Sequence, residues 1–342
     1  MGEGLAFRKF VTAGTWCVDY NKLIDDWPQE GNVTEILEIH RAGGGSACNF
    51  AIDLKRLDPS LDISTMGVVG DDDNGSFLIE CAKSNGIDTS GLKVVSRLAT
   101  PFTDAYTNRR NGKRTHIFRS GASAALSPED FDFTNLAGSF LHLGLPGAHA
   151  TLDNPCNGDA TGWVTVLRKA RAAGLTTNIE LMSIDDRCEI ARLNRPSLPY
   201  LDMLIVNDIE IGALAGEETI QNGLTDVAAC KRAAANILET GAMQFVAVHY
   251  PAGAICLTKD GAIFEKPSLS VPPDAILGAN GAGDAFVSGF IYGVAHKSPI
   301  DDCLAYAHAA AAASMRDSTT TGAVVGITEC MALADKWGWA NQ

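Results

Sequence analysis

The chain has 342 residues, of which 46% are hydrophobic and 20% are charged, and its formal net charge is −14. This composition predicts a folded globular protein, and it excludes a membrane-spanning helix because no stretch approaches about 18 consecutive apolar residues. The negative charge and the absence of a Lys/Arg run argue against nucleic acid as a partner.

The N-terminal sequence MGEGLAFRKFVTAG has no basic segment followed by an apolar run, so we expect no secretory signal. The nine cysteines form no C-x-x-C pair and no His/Cys cluster, a pattern typical of reduced thiols. We therefore expect a cytoplasmic protein without redox chemistry.

Apolar, β-rich runs recur along the chain and predict strands at 10–14, 61–69, 139–144, 175–183, 201–207 and 243–250. Segments with apolar residues at helical spacing lie between most of them, at 46–57, 75–86, 160–174, 226–241 and 284–297. This alternation predicts an α/β fold with a doubly wound, mostly parallel central sheet flanked by helices.

Two segments interrupt the alternation. Residues 16–42 include EILEIHRA, and residues 99–120 contain two strand-like runs around an Asn-Gly turn. We expect them to form a small β-sheet lid over the carboxyl ends of the main strands, where ligands of doubly wound folds bind. The chain, 1–342, is thus predicted to be one domain with two inserted lid segments, and the exposed ribbon edges favour a homodimer through the lid.

The stretch GANGAGDAF at 278–286 is the strongest local signal. Gly281, Ala282 and Gly283 have no bulky side chains, so their N–H groups could approach a ligand at the start of the helix that follows. Asp284, in the first turn of that helix, could take a proton from an attacking hydroxyl. The residues alone also fit a tight loop in which Asp284 only caps the helix.

Four motifs occur in an order that resembles the ribokinase-like (PfkB) family of carbohydrate and nucleoside kinases, over nearly the whole chain. GGGSACNFAIDLKRL and GVVGDDDNGSFLIECAKSNGI are similar to the family's N-terminal signature, NDIE at 207–210 to its Asn-x-x-Glu motif, and GANGAGDAF to its C-terminal signature. The resemblance implies a ribokinase-like fold and ATP-dependent phosphoryl transfer to a sugar-like alcohol.

The resemblance assigns catalysis to Asp284 as the base and to the backbone of Gly281–Gly283 as the anion hole. It assigns Asn207, Glu210 and Asn280 to the nucleotide site, with Glu210 acting through water on Mg²⁺. Helix capping explains Asn207 and Glu210 nearly as well, and that alternative stays open.

On the substrate side, the resemblance assigns Asp19, Gly44, Gly45 and Asn49 to sugar binding. A carboxylate such as Asp19 can accept hydrogen bonds from two adjacent hydroxyls. Without the family context, Asp19 would be interpreted as a solvated turn residue, and Asn49 as a side chain that satisfies backbone groups in the first turn of a helix.

The chain also departs from the family. Gly278 and Ala279 stand where the signature usually opens with Asp-Thr, which puts a K⁺ requirement in doubt, and Tyr250 replaces a common glycine near the nucleotide. Three substrate-side positions lack the Asn, Lys and Glu of ribokinases, at Cys17, Ser46 and Gly144. We therefore expect a substrate other than free ribose.

The function expected from these motifs is phosphorylation of a hydroxymethyl group on a small sugar or sugar derivative. A nucleoside kinase is the alternative, and it would need an apolar slot beside Asp19, with Trp16 and Phe118 as candidate walls. A catalytically silent sugar-binding regulator is a third alternative. We leave Arg114 and Arg119 out of the predicted site.

Overall fold

The computed structural model describes residues 6–340. Its strands, in chain order, are β1 Phe10–Gly14, β2 Cys17–Ile24, β3 Ile36–Gly44, β4 Ile63–Gly70, β5 Asp88–Val95, β6 Phe102–Asn108, β7 Arg114–Arg119, β8 Phe140–Gly144, β9 Thr176–Ile179, β10 Met203–Asn207, β11 Ile220–Gln221, β12 Leu224–Thr225, β13 Phe245–Tyr250, β14 Gly253–Thr258 and β15 Ile263–Pro267. The helices are α1 Ser46–Leu57, α2 Asp73–Ser84, α3 Gly162–Ala172, α4 Arg187–Asn194, α5 Asp208–Ala215, α6 Val227–Leu238, α7 Ala282–Ala295, α8 Ile300–Ser314 and α9 Ile327–Trp337. Within this described part of the chain, no helix combines the length and apolarity needed to span a membrane.

The central layer is mostly parallel, which confirms the predicted fold class. Five parallel strands have the order β5-β4-β1-β8-β9. A second sheet, β10-β13-β14-β15, lies beside them, since the N–H of Asp202 donates to the carbonyl of Thr177 at 3.0 Å. In this sheet β14 is antiparallel to both β13 and β15. Only two residues separate β13 from β14, which allows a hairpin but not a crossover.

The sheet is buried on both faces, as a doubly wound fold requires. Along β10, Met203 and Ile205 pack into one hydrophobic cluster with α1, α7 and α8, whereas Leu204 and Val206 pack into another with α3 and α6. Successive strand residues point to opposite faces, so a continuous apolar run supplies both clusters at once.

A small four-stranded sheet has the order β3-β2-β6-β7, with β2 and β6 parallel and the outer pairs antiparallel. The segments 16–42 and 99–120 contain these strands, except that β3 continues to Gly44. Gly45, with a φ of 87°, then turns the chain from β3 into α1. A Cβ on Gly45 would lie 2.6 Å from the carbonyl oxygen of Thr15, so this turn requires glycine.

Candidate active site

A cavity of about 380 Å³ lies between the small sheet and the carboxyl ends of β1, β8 and β9. Five of the residues predicted for the site line it: Asp19, Gly45, Asn49, Asn280 and Asp284. The other lining residues are Thr15, Cys17, Ser46, Thr103, His116, Phe118, Leu145, Ala148, Glu180, Met182, Ser183, Ile184 and Thr320. The fold therefore gathers residues from both signatures and from the small sheet around one space.

The glycine-rich stretch forms the start of α7. Gly281 has a φ of 77°, and a Cβ there would overlap the backbone carbonyl of Thr320, so only glycine fits. Among residues 6–340, the N–H groups of Gly281 and Gly283 have no hydrogen-bond partner, and that of Ala282 makes only a 3.4 Å bond to the carbonyl of Ala279. Free amides at a helix N-terminus are suited to binding an anion.

Asp284 faces the cavity from the first turn of α7. The side-chain amide of Asn49 donates to Asp284 Oδ2 at 3.1 Å, and Thr320 Oγ1 in turn donates to Asn49 Oδ1 at 3.0 Å. Burial raises the pKa of Asp284 well above its ordinary value, and repulsion from Glu180 raises it further. A carboxylate with raised proton affinity beside free amides has the properties of a general base for phosphoryl transfer.

Glu180 is a cavity residue that the sequence analysis missed. The predicted strand 175–183 is too long: β9 ends at Ile179, so Glu180 lies at the edge of the sheet and not within it. Its carboxyl group interacts with that of Asp284, and both residues line the cavity. Burial raises the pKa of Glu180 to about 7. An acidic residue directly after a buried strand could have identified Glu180 as a site candidate. The predicted strand ran on to residue 183, so Glu180 was placed inside it.

The buried His142 is hydrogen-bonded to the carboxyl group of Glu180. His142 Nε2 lies 2.7 Å from Glu180 Oε2, and the amide nitrogen of Asn178 lies 3.2 Å from His142 Nδ1. Burial lowers the pKa of His142 to about 3, so the ring is neutral, accepts at Nδ1 and donates at Nε2. Phe50 stacks on the ring with centroids 4.1 Å apart. This histidine is thus a satisfied core residue that orients an acid.

Asp19 lies at the bottom of the cavity on β2 and is only 6% exposed. A Cβ on Gly44 would overlap the carboxylate of Asp19, so Gly44 contacts this acid and does not itself line the cavity. Cys17 Sγ donates to Asp19 Oδ1 at 3.6 Å. Burial raises the pKa of Asp19 to about 6. The carboxylate keeps one oxygen available for a ligand hydroxyl.

Asn207 and Glu210 form a reciprocal cap at the start of α5. The N–H of Glu210 donates to Asn207 Oδ1 at 2.8 Å, and the N–H of Asn207 donates to Glu210 Oε2 at 3.0 Å. The second carboxylate oxygen of Glu210 accepts only a 3.4 Å bond from Ser183, which lines the cavity. Capping therefore uses half of this carboxylate and leaves an oxygen of the kind that binds hydrated Mg²⁺.

The small sheet reaches across to the loop that leads into α7. The side chain of His116, on β7, interacts with that of Asn280, and both residues line the cavity. Arg114, two residues away on the same face, lies 3.4 Å from the carbonyl of Ser318, and a Cβ on Gly278 would overlap its guanidinium. The arginine thus fills the space that a side chain at position 278 would need.

The two candidate walls of a nucleoside slot have different positions. Phe118 lines the cavity. Trp16 is fully buried in the core and donates from Nε1 to Thr65 Oγ1 at 2.5 Å, so it is not a wall of the cavity. An apolar surface is supplied instead by residues after β8 and β9, chiefly Leu145 and Met182.

Comparison with known proteins relates this geometry to characterised kinases. ATP-dependent ribose-1-phosphate kinase of Halopiger xanaduensis is 27% identical over 307 residues, which cover 89% of this chain and 90% of that protein. 5-Dehydro-2-deoxygluconokinase of Geobacillus thermodenitrificans is 27% identical over 308 residues, which cover 88% and 86%.

The same fold occurs in solved structures. Ribokinase from Giardia lamblia has a TM-score of 0.77 at 20% identity and covers 96% of this chain and 98% of its own. Ribokinase from Thermotoga maritima has a TM-score of 0.76 at 22% identity, with 96% and 99% covered. The family model described as pfkB family carbohydrate kinase matches residues 9–325. Because this match spans nearly the whole chain, the chain belongs to the pfkB family of carbohydrate kinases and is a phosphotransferase.

Proposed function

We propose that this protein is an ATP-dependent kinase that phosphorylates a hydroxymethyl group of a small sugar or sugar derivative. The observation that carries the proposal is the position of Asp284, which lines the cavity beside backbone amides that are free to bind an anion. A base and an anion site at one point are the two parts that transfer of a phosphoryl group to an alcohol needs.

In the proposed reaction, Asp284 takes the proton of the substrate hydroxyl as its oxygen attacks the γ-phosphoryl group. The amides of Gly281–Gly283 stabilise the charge on the transferring group, because free N–H groups beside the base need no rearrangement before they bind an anion. Asn49 holds the base in place through its 3.1 Å hydrogen bond, and its own amide oxygen is fixed by Thr320. Asp19 and Asn49 bind hydroxyls of the acceptor.

The donor side is assigned to Asn207, Glu210 and Asn280. Glu210 has one carboxylate oxygen without a strong partner, which suits a magnesium ion held through water. Mg²⁺, when bound, neutralises charge on the donor phosphates. The guanidinium of Arg114 beside Gly278 supports a reaction without K⁺, because a fixed positive charge already occupies that neighbourhood.

A nucleoside kinase remains the second candidate, and the apolar surface of the cavity, which includes Phe118, Leu145 and Met182, favours it.

Ile36, Ile39 and other exposed apolar residues of the small sheet support a homodimer through that sheet. The unpaired thiols and the ATP donor favour a cytoplasmic location.

Replacement of Asp284 by Asn tests the proposal. Asn keeps the size of the side chain and can accept the hydrogen bond from Asn49, but it cannot take a proton. We expect kcat for ADP formation to fall at least about 100-fold with thermal stability retained, while Mg·ADP still raises the melting temperature. The exposed Asp274, replaced by Asn, is the matched control. Near-normal turnover in the Asp284 variant would rule out the general base.

A further inference from the structure

The acceptor side of the cavity is rich in carboxylates. Asp19, Glu180 and Asp284 all line it; Asp19 is buried, and Glu180 and Asp284 are partly buried. Burial raises the pKa of Asp19 to about 6 and that of Glu180 to about 7. Repulsion between Glu180 and Asp284 adds to the effect of burial on Asp284. The surroundings of these three groups therefore stabilise negative charge poorly.

The other lining residues are neutral and do not offset this charge. His116 is the one basic type among them, and burial, followed by the positive charge of Arg114, lowers its pKa. Arg114 itself contacts the loop at Gly278 and the carbonyl of Ser318, which belong to the approach to the anion site of α7. Arg114 is not one of the residues that line the cavity, and its guanidinium contacts the loop before α7 and not the three carboxylates.

Polar groups that suit an uncharged ligand are present in the same wall. Ser46 Oγ is enclosed and has no hydrogen-bond partner among the described residues, although Ser46 lines the cavity. A carboxylate accepts hydrogen bonds from hydroxyls, and a serine hydroxyl can accept or donate one. Leu145, Met182 and Ile184 add an apolar surface. The hydroxyl groups of a polyhydroxy compound would form hydrogen bonds with the carboxylates and with Ser46, and its carbon atoms would contact the apolar side chains.

We infer that the acceptor is an uncharged polyhydroxy compound and that the cavity discriminates against sugar phosphates and sugar acids; this rests on the proposed kinase function. A phosphate or carboxylate on the acceptor would be desolvated beside three acids, and no Lys or Arg stands among the described residues that line the cavity. This is unfavourable at every protonation state that leaves Asp284 able to act as a base. Two of the relatives compared above are named for a sugar phosphate and a sugar acid, so the inference separates this protein from them. Glu180 is the specificity-determining residue, because it adds the charge closest to the base.

The test uses pairs of acceptors that differ in charge: ribose against ribose 1-phosphate, glucose against gluconate, and adenosine as an uncharged nucleoside. ADP formation with Mg·ATP gives kcat/KM, and calorimetry with a non-hydrolysable ATP analogue gives affinity. We expect the uncharged member of a pair to have at least a tenfold higher kcat/KM and affinity. An equal or better result with the anionic member would overturn the inference while leaving the kinase proposal intact.

The variant Glu180→Gln removes one acid at constant size, and Glu80→Gln, on the exposed face of α2, makes the same charge change far from the cavity. We expect Glu180→Gln to reduce the preference for the uncharged acceptor about tenfold and Glu80→Gln to leave it unchanged. An unchanged preference in Glu180→Gln would remove Glu180 from the argument. If no acceptor supports ADP formation above the rate of ATP hydrolysis alone, the proposed function fails, and this inference fails with it.

Discussion

The contact between Glu180 and Asp284 predicts how activity depends on pH. Asp284 can act as a base only when it is ionised, and the neighbouring carboxyl group raises its pKa. Replacing Glu180 by Gln removes that repulsion and therefore lowers the pKa of Asp284. We expect the acidic limb of the pH profile of kcat/KM, along which activity falls as protons bind, to move to lower pH in Glu180→Gln.

The size of this displacement measures the repulsion between the two carboxyl groups, because each pH unit corresponds to about 1.4 kcal/mol removed from the ionised form of Asp284. Burial still acts on Asp284 in the variant, so only the part of the pKa shift that Glu180 causes is lost. The profile is measured between about pH 5 and pH 9 by ADP formation, with Glu80→Gln as the control. An acidic limb that stays in place or moves to higher pH would refute the reasoning.

Glu180→Gln should also make the folded protein more stable at alkaline pH. Burial raises the pKa of Glu180 from 4.5 to about 7, so ionisation of this group in the folded state costs about 3 kcal/mol. The cost is absent below the unfolded-state pKa, grows as pH rises, and is complete above about pH 7. In urea denaturation, Glu180→Gln should therefore be more stable than the wild type by up to about 3 kcal/mol near pH 8 and equal to it near pH 4. A variant that is less stable at the higher pH would contradict this assignment of the cost.

Three further substitutions test other parts of the structure. Asp53 is fully buried, and neither of its carboxylate oxygens has a hydrogen-bond partner within residues 6–340. Burial raises its pKa well above its ordinary value, so Asp53→Ala should raise the free energy of unfolding at neutral pH by about 1 to 3 kcal/mol in urea titrations, with the gain lost in acid. Gly281→Ala places a Cβ onto the carbonyl of Thr320 at a positive φ. We expect the free energy of unfolding to fall by about 1 to 3 kcal/mol and turnover of Mg·ATP to be lost. Normal turnover would show that the loop tolerates a side chain. Arg114→Gln should raise ATP hydrolysis without acceptor several-fold relative to coupled transfer, because the small sheet loses its contact with the loop before α7, whereas the exposed Arg119→Gln should not.

Local sequence patterns predict much of the fold. The apolar spacing of residues 46–57 predicts a helix that the structure has with the same bounds, and alternation of strands and helices predicts the parallel sheet. Local chemistry also identifies the glycine-rich start of α7, because small residues before a helix leave amides free whatever the surroundings. Where a residue is followed by its partner within a few positions, as in the cap of Asn207 and Glu210, the sequence holds both halves of the interaction.

The sequence by itself therefore determined the alternation of strands and helices in the central layer and the candidate base, because these depend on neighbours within one or two turns. It did not predict α8, α9, β14 or β15. Only the tertiary structure decided what surrounds that base. Asn49 and Asp284 are 235 positions apart, and Glu180, directly after β9, interacts with Asp284 from a different part of the chain. Burial, which raises the proton affinity of these acids, depends on the packing of the whole chain, and no local pattern encodes it.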